Sequence, residues 1–210
     1  LFLVLGLVLL AGAPAARAED QTKLPVGEIE KIVKEYLLRE PEVIYQAIQE
    51  LQRRRDAEEA SKQKDLVAQH GDEIFMSKAD PVLGNPDGDV TMVEFFDYNC
   101  GWCKKGFPEV MSLLDQDKNL RFVLKEFPIF GGDSDYAAMA AIAAKKQNKY
   151  WELHKALFSH EGKVTRQVVD EVAAKQGIDV KKLKEDMKDP AVAQEIAANH
   201  ALAQSLAING

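Results

Sequence analysis

Cys100 and Cys103 are the only cysteines in this 210-residue chain, and they stand in the run Asn99-Cys100-Gly101-Trp102-Cys103-Lys104. That spacing lets one sulfur attack a disulfide while the other resolves the mixed disulfide, the essential step of thiol–disulfide exchange. A purely structural disulfide is a poor explanation, because the stabilisation from closing a loop grows with loop length and this loop is minimal. A zinc site would need two more ligands. None of His70, His154, His160 and His200 supplies a paired second half, and no second Cys-x-x-Cys exists. The pair therefore reads as a redox dithiol, with no metal assigned.

The elements around it must position it. Val90 to Phe96 reads as a buried strand, Asp97 to Asn99 as a turn, and the residues from Cys100 onward as a helix. Unpaired N–H groups and the dipole at a helix start favour thiolate over thiol. Cys100 is accordingly expected to be the exposed nucleophile, and Cys103, one turn inside, the shielded resolving thiol. Lys104 and Lys105 add positive charge just beyond. Gly101 and Trp102, between the cysteines, are not ionisable and offer no further pull on the thiolate. Both faces of the strand are mostly apolar, as in a central strand covered on each side, and Glu94 is the exception. The next strand, Leu120 to Phe127, carries a matching exception in Lys125. A buried Glu94–Lys125 pair beneath the dithiol is expected, placed to relay or tune protons during exchange.

Cys-x-x-Cys at a strand-to-helix corner is a thioredoxin-like signature. Phe96-Asp97-Tyr98-Asn99-Cys100-Gly101-Trp102-Cys103-Lys104, followed by Lys125-Glu126-Phe127-Pro128-Ile129, resembles the DsbA family of thioredoxin-fold proteins of the bacterial cell envelope. Glu94 stands six residues before the first cysteine, where thioredoxin-fold enzymes carry an acid. Pro108 resembles the proline that kinks their active-site helix. The resemblance covers the chain from about Asp80 onward. It implies Cys100 as nucleophile, Cys103 as resolving thiol, and Glu94 with Lys125 as tuning pair.

Leu1 to Leu10 is apolar apart from Gly6, and Ala16-Arg17-Ala18 follows as a cleavage signal. Residues 1–18 are therefore expected to be a signal peptide whose basic start is missing, with Glu19 opening the mature chain in the periplasm, an oxidising compartment. The formal net charge of −7 argues against nucleic acid. Arg53-Arg54-Arg55, the one basic run, sits beside Glu50, Glu58 and Glu59 at helical spacing and reads as a solvated face.

Cleavage leaves about 190 residues, one domain plus a smaller element. Residues 19–70 form the smaller element. Ile29, Ile32, Val33 and Tyr36 make one helical stripe, and Pro41 restarts a helix carrying Val43, Ile44, Ala47, Ile48 and Leu51. A polar stalk from Gln52 to Asp65 follows. Stripes this narrow cannot bury themselves alone. The segment resembles ScsC-type members of the DsbA family, whose N-terminal helices oligomerise, so a homo-oligomer is expected. The alternative is a helix folded back on its own domain.

Residues 71–210 are expected to form an α/β, thioredoxin-like domain with a helical insertion. Asp133 or Ser134 caps its first helix, Thr165 and Asp179 cap two more, and Asp189-Pro190 opens the last. The resemblance implies a Thr-Pro turn facing the dithiol and two further strands beyond Ile208-Asn209-Gly210. The expectation is thus a fragment truncated at both ends and lacking C-terminal strands, with the enzyme's activity belonging to the complete protein. That activity is thiol–disulfide exchange on unfolded or misfolded exported proteins, running as oxidation, isomerisation or reduction. The dithiol carries the redox equivalent, so no organic cofactor is called for, and a membrane redox partner resets it. The competing class is a non-enzymatic protein holding Cu(I) between two soft thiolates.

Overall fold

The helical stripes and the apolar runs become helices and strands much where the sequence places them. The structure, a computed structural model, describes residues 25–209, so the expected signal peptide lies outside the described residues. The chain divides into two compact units at the Ala57–Glu58 bond. The first carries α1 (Val26–Arg39) and the start of α2 (Glu42–Gln69). Ile29, Ile32, Val33 and Tyr36 on α1, and Ile44, Ile48 and Leu51 on α2, are exposed. Glu50 accepts hydrogen bonds from Arg53 and Arg54, so the basic run is a solvated helix face.

The second unit begins within α2 and continues with α3 (Gly71–Phe75), β1 (Val82–Gly84), β2 (Val90–Phe96), α4 (Gly101–Gln116) and β3 (Leu120–Glu126). Then come α5 (Gly132–Ala144), a short 3-10 turn, α6 (Tyr150–Phe158), α7 (Arg166–Lys175), α8 (Val180–Asp186) and α9 (Pro190–Ser205). The three described strands run in the order β1-β3-β2, with β3 antiparallel to β1 and parallel to β2. Thus β3, the more buried strand, is central among them, where the sequence pattern had suggested β2. Gly84 (φ 71°) and Gly88 carry the chain so close to the backbone of Leu120 and Asn119 that a Cβ would collide there.

Alternation gives the sheet two buried faces. Phe96, Phe122 and Leu124 pack with α5, α6 and α7, and partly buried Phe107, Val110 and Leu114 bring α4 against the same core. Ala137, Ala140, Ala141 and Ala144 of α5 are fully buried, small enough to let neighbouring helices close in. Val93 and Phe95 face the other way, onto a cluster of Ile74, Leu202 and Leu206 from α3 and α9. Thr165, Asp179 and Asp189 each accept a hydrogen bond from the helix they precede, as their types predict. The start of α5 is different. Gly131 (φ 85°) is its cap, and Ser134 lies inside the first turn with its hydroxyl donated to Asp97.

The expected Glu94–Lys125 pair is not formed. The register sets Glu94 beside Leu124 and Phe95 beside Lys125, so the acid and the lysine project from opposite faces. Lys125 is buried against Asp80, to which its ammonium donates, and it also donates to Glu73 O at 2.8 Å. Burial lifts the Asp80 carboxyl above its ordinary range, and Lys125 opposes that rise. Removing one partner strands the other as a buried charge. Lys125→Met is therefore expected to lower the unfolding free energy by about 3–5 kcal/mol in urea denaturation, with added Asp80→Asn recovering much of it. A loss below about 1 kcal/mol would contradict the pairing.

Candidate active site

Cys100 caps α4. Its backbone N–H bonds Asp97 O at 3.0 Å, and its Sγ accepts from the N–H of Cys103 at 3.3 Å. The first sulfur thus sits where a helix presents unsatisfied donors. Cys100 and Cys103 are free thiols, each partly exposed. The Cys103 thiol is pushed up to about 12, mainly by burial, then by its bond with Cys100 and by the charges of Cys100 and Glu94. The two sulfurs therefore occupy different environments, one at a helix terminus and one half-withdrawn against the core. Gly101 has open space around it, and Trp102 is 79% exposed with the Lys105 ammonium 5.1 Å from its ring centroid.

Glu94 projects from β2 on the face of Met92 and Phe96. Burial alone raises its carboxyl to about 7, and its charge bears on Cys103. Of the residues expected at the site, the structure brings together Cys100, Cys103, Gly101, Trp102 and Glu94. Lys125 is on the far face of the sheet.

Residues 91–210, more than half of the chain, match the DSBA-like thioredoxin domain. The chain belongs to this family. Residues 27–58 of this DsbA-like protein also match the N-terminal domain of the copper resistance protein ScsC. A thioredoxin-like oxidoreductase structure from Silicibacter pomeroyi DSS-3 is 48% identical, covering 66% of this chain and 80% of that one with a TM-score of 0.65. Probable disulfide bond formation protein D of Bacillus cereus is 28% identical over 155 residues, 67% of this chain and 71% of the relative. The Na(+)/H(+) antiporter NhaA 1 of Salinispora arenicola is 32% identical over 120 residues, 56% of this chain but only 18% of the antiporter's length.

Two groups at the DsbA-like site escaped the sequence reading. Asp97, almost fully buried, accepts from Asn99 N at 2.7 Å and Ser134 Oγ at 2.8 Å on one oxygen. Its other oxygen accepts from Ile129 N at 2.7 Å and Phe130 N at 3.1 Å. Asp two residues before Asn is an Asx-turn pattern and could have been read as one; its long-range donors could not. Behind it, the buried Glu126 Oε1 accepts from Tyr98 at 2.8 Å and Tyr150 at 3.0 Å, and His154 Nδ1 lies 3.0 Å from the Tyr98 hydroxyl oxygen. Burial drives Glu126 well above the usual carboxylate range and His154 down to about 3. His154 is thereby neutral at pH 7, and the neutral form of Glu126 is favoured by burial, one of its oxygens lacking a partner among the described residues. An acid beside Lys125 in an apolar strand was the available signal.

Glu94 makes the domain's stability depend on pH. A carboxyl whose folded pKa lies above its unfolded value holds its proton tighter when folded, so stability falls as pH rises between the two and stays low above about 7. Glu94→Gln is expected to melt at least about 2–4 °C higher relative to the parent at pH 8 than at pH 5, measured on the reduced proteins. An equal difference at both pH values would mean that Glu94 is not held up by burial.

Proposed function

We propose that the chain is an exported protein thiol–disulfide oxidoreductase working through Cys100 and Cys103. The observation that carries this reading is the Cys100 sulfur at the N-cap of α4, accepting the Cys103 N–H, with the second thiol half-withdrawn against the core. The Cys100 thiolate attacks one sulfur of a client disulfide, forming a mixed disulfide and expelling the other sulfur as a thiolate. Cys103 then gives up its proton, attacks Cys100 Sγ and releases the second client sulfur. The Cys100–Cys103 disulfide and a reduced client remain. The reverse sequence donates a disulfide. In isomerisation, a client thiolate displaces Cys100 before Cys103 can act. Glu94, poised near neutrality, accepts the Cys103 proton in the resolving step. Trp102 and Gly101 leave the sulfur approachable from solvent.

The clients in this reading are unfolded or misfolded exported proteins, and a membrane redox partner resets the dithiol in the periplasm. The apolar run and Ala16-Arg17-Ala18 signal support export.

Residues 19–70 are the oligomerisation segment in this proposal. The exposed apolar stripes of α1 and early α2 and the match over residues 27–58 support it. Gathering several dithiols on one assembly raises the effective thiolate concentration at a client and favours isomerisation. Light scattering and regain of activity by a scrambled-disulfide client, compared for chains starting at Glu19 and at Gly71, test this. The longer chain is expected to be a dimer or trimer and the faster isomerase. Two monomers of equal activity would contradict the assembly and favour simple oxidation.

A further inference from the structure

Asn99 and Lys104 bracket the dithiol, and both side chains reach the same short loop between α6 and α7. Asn99 Oδ1 accepts from Val164 N at 2.8 Å, and its Nδ2 donates to Val164 O at 3.1 Å. Lys104 Nζ donates to His160 O at 3.0 Å and to Gly162 O at 2.5 Å. Gly162 sits at φ 84°, a conformation that only glycine adopts without strain. A lysine one residue past a Cys-x-x-Cys could have been a freely solvated charge. Here it is held by two carbonyls at the first turn of α4, where its own N–H bonds Cys100 O at 3.0 Å.

The nature of that holding matters. The Lys104 ammonium is paired with no carboxylate among the described residues, and partial burial alone draws its pKa down. Several lysines elsewhere on the domain are matched: Lys145 by Glu195, Lys146 by Asp189, Lys184 by Asp170. Glu161, in the same loop, is not among the partners of Lys104, and only backbone carbonyls hold the ammonium. The charge is therefore fixed in place without being neutralised, in a partly desolvated position where Coulomb interactions are screened less than in water.

We propose that Lys104 is a positioning residue for the redox equilibrium: the 160–164 loop fixes the ammonium of a lysine that stands one helical turn beyond Cys100, where its charge favours the thiolate that the reduced dithiol can form over the neutral disulfide. The inference rests on the dithiol reading above and adds a regulator of its balance. The reaction concerned is the exchange of the dithiol with glutathione disulfide. One protein disulfide forms as one glutathione disulfide breaks, and the two released glutathione sulfurs take up the Cys103 thiol hydrogen and, where Cys100 has already lost its own to solvent, one proton from solvent. Only the reduced side of that balance can form a sulfur anion for Lys104 to favour.

Equilibration of the full chain against defined glutathione ratios, read by thiol alkylation and mass, tests this with four variants. Lys104→Met removes charge and hydrogen bonds, Lys104→Gln removes the charge and keeps a donor, and Lys104→Arg keeps both. Lys105→Met removes a neighbouring solvent-exposed charge. The Met and Gln variants at Lys104 are expected to shift the equilibrium toward the disulfide by about three- to ten-fold, while Lys104→Arg and Lys105→Met stay within about two-fold of the parent. A parent-like Lys104→Gln would assign the effect to tethering and overturn the charge role. An Arg variant shifted as far as the Met variant would likewise overturn it. If the parent itself forms no disulfide with glutathione, the dithiol reading fails instead, which is a separate result.

Discussion

The Asp97 carboxylate is the constraint on which the arrangement of the site depends. It stands at the end of β2, and its two oxygens take up the backbone of Asn99, Ile129 and Phe130 and the hydroxyl of Ser134. One buried group thereby joins the turn that delivers Cys100, the loop leaving β3 and the first turn of α5. A buried carboxylate is tolerated only when its acceptor capacity is met, and four donors meet it. Asn99 extends the same tie to Val164. The Cys100 sulfur is accordingly positioned from the sheet and from the helical block at once.

Given that placement, the two cysteines part company through environment. The first sulfur lies at a helix start, in a partly exposed residue two positions before an exposed tryptophan. The second is half-buried, feels the charge of Glu94, and holds its proton strongly. A dithiol needs this asymmetry to be directional, since a symmetric pair would attack with either sulfur. Glu94 is kept near neutrality by desolvation without a cationic partner. An ion pair there would have pulled its carboxyl down and removed it from useful proton transfer.

Local chemistry made the redox pair, the anomalous Glu94, and the caps at Thr165, Asp179 and Asp189 legible in the sequence, because each depends on residues within one turn or one strand. The resemblance to the DsbA family rests on the same short motifs. Lys125 shows where such reading stops. Its place in the strand was clear, but its partner depended on which face the parallel register turned it to, and Asp80 lies 45 residues earlier in the chain. The donors to Asp97, and the tyrosines on Glu126, come from elements that only the folded topology brings together. Lys104 could not be told from a solvated lysine until its carbonyl partners were known.

The central claim is that Cys100 attacks and Cys103 resolves, and capture of the mixed disulfide tests it most directly. A reduced Cys103→Ser variant, incubated with a client protein carrying disulfides, retains the attacking sulfur and lacks the resolving one. The account predicts that it accumulates a covalent adduct through Cys100, reversible by dithiothreitol, while Cys100→Ser accumulates little or none. Adducts forming chiefly through Cys103, or no adduct with either variant, would contradict it.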